Sequence, residues 1–385
     1  MMRALLSPIF MAVLTSNFLI ICMVLFFRNK KLLLWAGYKV LAVLMILIVL
    51  RMFFSFEMPF SHNVYLPEII AVLIVKMKTA HYVGTLKITL WDLFCLIWAA
   101  GAIILFFRYM LQYRRTGKMI RTRGEDITSE EPYRGILQSV CDRKKQKNRF
   151  RVMRMSGFSM PVLFGIFRPV ILLPESMELS EEELGIVLGH EAFHHFHHDL
   201  LLKAIVRIIT IIYWWNPFCR ILNRQADVIL DMRVDDRLTE NQSEFRYRYL
   251  SCLLHLLKMA EAEPPFDRGI TVSICREEAL LTKRFELLKD GGKRKGGRLT
   301  LATSFLAIVL FFGSYLYIFE AMYFSPEVTE TTFGLDRENA YLVRKKDGTY
   351  DIYLWGKFLH STDDLEGYLY YDLLIYDEEG NLIED

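Results

Sequence analysis

His190 and His194 stand four residues apart with Glu191 between them, in the run Gly189-His190-Glu191-Ala192-Phe193-His194. On a helix that spacing puts both imidazoles on one face, where together they can hold one zinc ion. Glu191 then falls beside the first ligand, placed to take a proton from a water that attacks a peptide carbonyl. Zinc would supply Lewis acidity and Glu191 the proton transfer, which together make peptide hydrolysis. The run continues as His195-Phe196-His197-His198-Asp199, so five of the nine histidines fall within 190–198, and His198 repeats the spacing from His194. A generic metal-scavenging tract is the blander reading, and it would need neither Glu191 nor a helix.

A catalytic zinc commonly takes three protein ligands and leaves one position for water, so a third ligand must come from elsewhere. Asn216-Pro217 marks a turn and a helix start. The helix expected over 218–238 carries Asp227, Asp231 and Asp235 at four-residue spacing, with Asp236 beside the last. One of these carboxylates is the candidate; a solvated acidic face paired with Arg224, Arg233 and Arg237 is an alternative of equal weight. The zinc helix has its own start signal in Ser180-Glu181-Glu182-Glu183, a capping box, followed by Leu184, Val187 and Leu188 at helical spacing. It is expected to begin near Glu181.

These helices belong to a chain of 385 residues that is 53% hydrophobic and 24% charged, with a mean hydropathy of +0.24. That is too apolar for a disordered chain or an ordinary soluble enzyme. Residues 4–27 and 299–319 are free of charge and long enough to cross a bilayer. Residues 33–54, interrupted by Lys39 and Arg51, and 90–107, with Asp92 near the start, are weaker spans whose end charges are expected to snorkel. The first run is followed by Arg28, Lys30 and Lys31, the reverse order of a cleavable signal peptide. Four spans with the N-terminus outside bring the basic clusters at 28–31, 108–123 and 293–298 to the cytoplasm together.

The expected organisation is then a three-helix membrane region over 1–112 with an outer loop near 55–89, a cytoplasmic domain over 113–298, a fourth span at 299–319 and an outer tail over 320–385. Ile69–Val75 is too short to span and is expected at the membrane interface. The tail carries 16 acidic and 5 basic residues, which leaves +14 on residues 1–319. That split fits two compartments better than a nucleic-acid surface. None of the six cysteines lies in the tail and none forms a CxxC pair, so neither a disulfide framework nor a thiolate metal cluster is expected.

The four apolar runs, the HExxH helix, Trp215-Asn216-Pro217, Asn223-Arg224-Gln225 and the pattern Asp231-x-x-x-Asp235-Asp236 together resemble the bacterial antirepressor metallopeptidases of the BlaR/MecR type. The resemblance covers nearly all of residues 1–320, and Phe164–Pro174 looks like the strand that precedes the zinc helix in that family. It implies an α-helical polytopic membrane protein with four transmembrane helices, a cytoplasmic α+β zincin-like metallopeptidase domain and a small extracellular β-rich tail. It implies His190 and His194 as zinc ligands, Glu191 as catalytic base, Asp231 as the third ligand where the family usually has Glu, and Asp235 as supporting acid. Asp is one methylene shorter than Glu, so ligation requires a closer approach of the two helices. Phe164, Gly165, Ile166 and Phe167 are expected to form an edge strand that pairs with extended substrate.

The resemblance also implies that an outer signal triggers cleavage of the chain itself or of a cytoplasmic winged-helix transcriptional repressor. The β-lactam-sensing members end in a large penicillin-binding-like domain with Ser-x-x-Lys; residues 320–385 contain no such motif, so a β-lactam-acylated sensor is not expected. Ala340–Val343, the turn signal Asp347-Gly348, Tyr350–Trp355 and Tyr368–Tyr376 read as a small β-meander with a DG hairpin, its aromatics favoured as core over ligand surface. The partners expected are the lipid bilayer of a bacterial plasma membrane, a cytoplasmic protein substrate and an unknown extracellular ligand. No direct nucleic-acid contact is expected, and a homodimer stays open beside a monomer. Two rivals remain: a housekeeping membrane metalloprotease, and a non-proteolytic receptor with a structural or vacant metal site, to which a retained Glu191 is the main objection.

Overall fold

A computed structural model describes residues 6–56, 58–65, 76–77, 80–83, 86–157, 159–239, 243–262, 284–285, 288, 297–320, 340–346, 348–362 and 373–384. The chain divides into a unit over 1–321 and a smaller one over 322–385.

The larger unit begins with α1 (Leu6–Arg28) and α2 (Lys30–Phe53). They are split at Asn29, whose side chain accepts from the backbone N–H groups of Lys31 and Leu32 and so caps α2. After β1 (His62–Tyr65) and the hairpin β2 (Ala80–Val83) and β3 (Leu86–Thr89), α3 (Leu90–Arg123) opens on a reciprocal capping box between Thr89 and Asp92. It runs 34 residues, so the run expected at 90–107 is only its first half. Among the described residues, Pro8–Arg28 of α1 and α3 are the two helices long and apolar enough to cross a membrane.

Next come β4 (Glu125–Asp126), α4 (Tyr133–Arg143), β5 (Arg151–Met155), β6 (Val162–Phe164) and β7 (Val170–Pro174). The helices α5 (Glu181–Phe196), α6 (Asp199–Ile212), α7 (Pro217–Thr239), α8 (Ser243–Ala262) and α9 (Gly297–Gly313) follow, with β8 (Tyr317–Glu320) closing the unit.

Two findings revise the expected membrane region. The run expected to span at 299–319 is helical only to Gly313, and its last residues belong to β8, which pairs in parallel with β1 from His62↔Tyr317 to Tyr65↔Glu320. Arg51 does not snorkel. It is 1% exposed, donates from Nε to Ser314 Oγ at 2.8 Å and lies 4.1 Å from the Tyr315 ring centroid, so the turn after α9 satisfies its charge.

Helices α6 and α7 share one apolar core with the first two helices. Ile20 and Met23 of α1 and Leu41, Met45 and Ile48 of α2 belong with Val206 and Ile209 of α6 and Leu222 and Ile229 of α7. The α6–α7 turn is tied down by polar bonds. Asn216 accepts from Phe218 N at 3.0 Å, which caps α7, and donates to Asn17 Oδ1, the middle residue of α1, at 2.8 Å. Trp98 of α3 donates to Ile212 O at 2.7 Å and Tyr213 donates to Met52 O at 3.0 Å. Gly101 keeps this turn close to α3, because a Cβ there would lie 2.7 Å from the Trp214 indole.

The second core joins a four-stranded sheet, ordered β4-β5-β7-β6, to α4, α5 and α8 through Val152, Ile171, Leu137, Leu188, Ala192 and Leu253. Strand β7 is apolar along its length because it lies inside the sheet, parallel to β5 and antiparallel to β6. That order leaves β6 on the edge. Of the four residues expected in an edge strand, only Phe164 is in β6; Gly165, Ile166 and Phe167 form the turn into β7. Gly165 has φ +93, and a Cβ there would meet Arg168 O at 2.3 Å, so the strand ends three residues earlier than expected.

The smaller unit holds a five-stranded sheet ordered β11-β10-β9-β12-β13, from β9 (Ala340–Arg344), β10 (Tyr350–Leu354), β11 (Lys357–Thr362), β12 (Leu374–Asp377) and β13 (Leu382–Glu384). It is not a meander, since β12 pairs in parallel with β9. A hairpin turn at Trp355-Gly356, both at positive φ, joins β10 to β11. Leu342, Ile352 and Ile375 form the apolar core, while Tyr341 and Tyr353 stack at 5.2 Å with Tyr376 edge-on, so these aromatics sit apart from the core expected to contain them. Asp347, Tyr368–Asp372 and Ile69–Val75 lie outside the described residues.

Candidate metal centre

The zinc-motif helix forms where the sequence placed it. Ser180 Oγ accepts from Glu183 N at 3.3 Å, and the Glu183 carboxylate accepts from Ser180 N at 3.0 Å, closing the box at the head of α5. The helix ends by His197, and His198 takes a left-handed conformation, φ 57, that turns the chain into α6. This reversal brings Asp199 back beneath α5, where its fully buried carboxylate accepts from His194 Nδ1 at 2.7 Å and is paired with Arg233 of α7. Helix α7 then returns with Asp231 and Asp235 facing α5.

His190, His194 and Asp231 each offer a ligand atom within 4.8 Å of the other two. The two Nε2 atoms are 3.1 Å apart, and His194 Nε2 is 3.3 Å from Asp231 Oδ1. Two tetrahedral ligands, each about 2.05 Å from one ion, stand about 3.3 Å apart, so the spacing fits a zinc-sized cation.

The protonation pattern fits it too. Tyr249 donates to Asp235 Oδ1 at 2.6 Å, which leaves its oxygen to accept from His190 Nδ1 at 2.9 Å. His194 Nδ1–H is taken by Asp199. Both imidazoles therefore turn an Nε2 lone pair toward the other, an arrangement that a shared cation stabilises.

Arg284 completes the surroundings, donating from Nε and Nη2 to Asp235 at 2.7 and 2.6 Å and from Nη1 to Asp231 Oδ2 at 3.4 Å. Burial works against ionisation of Asp231, but the Arg284 charge and the hydrogen bond to His194 outweigh it and hold the carboxyl below the usual carboxylate range. Burial, reinforced by the Arg284 charge, holds His190 well below the ordinary imidazole value, so it stays neutral and ligand-competent. Burial raises the Glu191 carboxyl above its usual value, the direction a general base needs if it is also to return a proton.

The ligands open into a cleft of about 160 Å³ whose walls include Glu191, Lys203, Asp227 and, from the sheet edge, Val162 and Leu163. The structure thus brings His190, Glu191, His194 and Asp231 together, with Asp235 behind Tyr249. Asp227 points to a different task, pairing with Lys203 at 3.1 Å. The remaining histidines of the tract do not join the group: His195 packs edge-on against Phe150, His197 bonds Phe193 O, and His198 is exposed at the helix break. Sequence reasoning missed Asp199, Tyr249 and Arg284. Asp199 carried a signal, a carboxylate just after the last histidine, whereas Tyr249 and Arg284 reach the site only through tertiary folding.

A family model described as BlaR1 peptidase M56 matches residues 7–288. The "Regulatory protein BlaR1" of Bacillus licheniformis is 26% identical over 147 residues, 37% of this chain and 24% of that protein. The "Methicillin resistance mecR1 protein" of Staphylococcus aureus is 26% identical over 136 residues, 34% of this chain and 22% of that protein. The similarity to these curated relatives thus spans less than a quarter of their own length.

Proposed function

From the premise that this chain belongs to the BlaR1 peptidase M56 family, we propose that it is a membrane-embedded zinc metalloendopeptidase that couples an outer signal to cleavage of a cytoplasmic protein. The observation that carries the reading is the meeting of His190 Nε2, His194 Nε2 and Asp231 Oδ1 in one cleft with Glu191. Those three side chains are the zinc ligands of the proposal. Zinc bound there supplies Lewis acidity toward a peptide carbonyl.

The other steps belong to the chain. The free edge of β6 (Val162–Phe164) offers unpaired backbone groups to an extended substrate and lays it across the cleft. Glu191 takes the proton of the attacking water and returns it to the departing amide nitrogen. Asp199 and Tyr249 fix the two imidazole tautomers, and Arg284 holds Asp235 and the free oxygen of Asp231 in place.

In this proposal α1, α2, the first half of α3 and α9 cross the bilayer, with the N-terminus and residues 320–385 outside and the cleft on the cytoplasmic side. The basic flanks at 28–31, 108–123 and 293–298 support that orientation. The substrate proposed is a winged-helix transcriptional repressor, the chain itself, or both.

Membranes bearing the parent chain and its Glu191→Gln variant at matched levels test the chemistry. The expected result is zinc in both, with fragments of the 113–298 region only in the parent. A parent that yields neither zinc nor fragments overturns the protease reading and favours a receptor that only binds a partner.

A further inference from the structure

Between α3, α6 and α7 lies a second cavity, of about 310 Å³, walled in part by Arg108, Arg207 and Arg220. No carboxylate lines it among the described residues, and none of the described carboxylates forms an ion pair with these three arginines. The contrast with Lys203 is informative. It stands one turn before Arg207 on α6 and is paired with Asp227 of α7 at 3.1 Å, so the fold supplies a counter-charge there and none at the neighbouring cavity. Arg207 lies 5.9 Å from the Tyr109 ring centroid, Arg108 and Arg220 are exposed, and three cationic side chains lining one cavity favour an anion there.

The position of the cavity narrows the choice of anion. On the four-span reading of the proposed function, the cavity lies at the cytoplasmic side of the membrane region. The α6–α7 turn is bonded to Asn17 at the middle of α1 and to Trp98 in the first half of α3. Arg220 follows Pro217 by three residues, about 4.5 Å along α7, and Arg108 directly follows the apolar run of α3. On that reading the α6–α7 hairpin dips into the bilayer from the cytoplasmic side, so Arg207 and Arg220 lie in its inner half and Arg108 at the inner headgroup level, where an uncompensated charge is expensive. Beside Arg108, α3 exposes Ile103, Ile104 and Phe107, a surface suited to acyl chains. Guanidinium forks match phosphate oxygens two at a time, and basic pockets between spans on the cytoplasmic side suit phospholipid headgroups.

We propose that the cavity of Arg108, Arg207 and Arg220 is a binding site for the phosphate of an anionic phospholipid of the inner leaflet. The lipid seals the gap between α3 and the α6–α7 hairpin. Because Arg207 and Tyr109 also wall the groove that passes Phe164 and Gly165 toward Lys203, the bound headgroup borders the path to the metal centre.

The test uses the purified full chain in detergent, titrated with fluorescent phosphatidylglycerol and separately with inorganic phosphate as competitor. The expected result is saturable lipid binding that falls about thirtyfold in the Arg207→Gln/Arg220→Gln double variant, with Lys at both positions restoring part of it. Unchanged binding in the double variant overturns the proposal. Displacement of the lipid by equimolar inorganic phosphate overturns the lipid assignment and leaves a free-phosphate site. If circular dichroism shows that the double variant is unfolded, Arg108→Gln is read instead, with a loss of about fivefold expected and no loss overturning. An alkaline wash of membranes is run alongside: a parent chain that washes off refutes the four-span reading itself, whereas a chain that stays with unaltered lipid binding refutes the site alone.

Discussion

Asp199 accepts the Nδ1 proton of His194 at 2.7 Å from the far side of a helix break. The contact sets which nitrogen of His194 faces the metal position, and Asp199 is held in turn by Arg233. Asp199→Asn keeps the volume and weakens the acceptor, and partners of this kind change metal affinity by about 10–100-fold. Zinc retention against a graded series of chelators is expected to weaken by at least about tenfold. Retention equal to the parent's would mean that Asp199 serves only to neutralise Arg233.

Asp231 is the shortest carboxylate able to ligate from α7. Asp231→Ala removes a ligand and is expected to abolish both zinc binding and fragment formation. Asp231→Glu restores reach at the cost of one methylene in a buried site and is expected to keep zinc, with cleavage within about tenfold of the parent. Full zinc content in Asp231→Ala would move the third ligand to another residue.

Arg284 makes the metal-free protein respond to acid in a definite direction. The folded pKa of Asp231 is held down, so its ionised form stabilises the fold above an unfolded value near 3.9, and that contribution is lost as pH falls through the lower folded value. Arg284→Met leaves Asp231 and Asp235 buried without their cation, at a cost of about 3–5 kcal/mol near neutrality. With Arg284 gone, burial alone acts on Asp231 and raises its folded pKa above the unfolded one, and the sign reverses: stability should increase as the variant is taken from pH 7 toward pH 4. Thermal unfolding across that range, with zinc chelated, distinguishes a variant whose stability rises toward pH 4 from a parent whose Asp231 contribution stays level and begins to fall only near pH 4. Parallel slopes would remove Arg284 from the electrostatics of the site.

Gly165 sets the end of β6. Gly165→Ala places a Cβ against Arg168 O at a positive φ, with a cost of about 1 kcal/mol or more, and displaces the edge on which substrate would lie. The metal ligands are untouched. Cleavage of a peptide substrate is expected to show a KM raised by about tenfold with little change in kcat and normal zinc content. A change in kcat alone would point away from edge pairing.

The parts legible in the sequence were those encoded locally. The HExxH spacing, the capping box at Ser180 and the Asn216-Pro217 helix start each concern residues within one turn of one another, and each appears in the structure where expected. The edge strand was placed at Phe164–Phe167 by the family resemblance alone, which does not carry the reversal set by a positive φ at Gly165. Arg51 was misread for a related reason. A cation near the end of an apolar run suggests snorkelling, and nothing near it in the sequence indicates Ser314 and Tyr315, more than 260 residues away. Tyr249 and Arg284 were invisible on the same grounds, since their roles exist only once tertiary folding brings them beside α5 and α7.

The pairing of β1 with β8 has a mechanical meaning. The strands run parallel, so tension applied at Glu320 and resisted through the N-terminal end of β1 loads all four rungs in shear, and they must yield together rather than unzip one by one. Arg51, locked to Ser314, adds a rivet between the same two stretches of chain. Residues 62–65 and 317–320, with Arg51 and Ser314, therefore form one coupling, and a pull on β8 is delivered to α2 as well as to α9. Helix α2 packs directly on α7, the helix that carries Asp231, so a mechanical path from β8 to the metal position runs through the second helix of the chain.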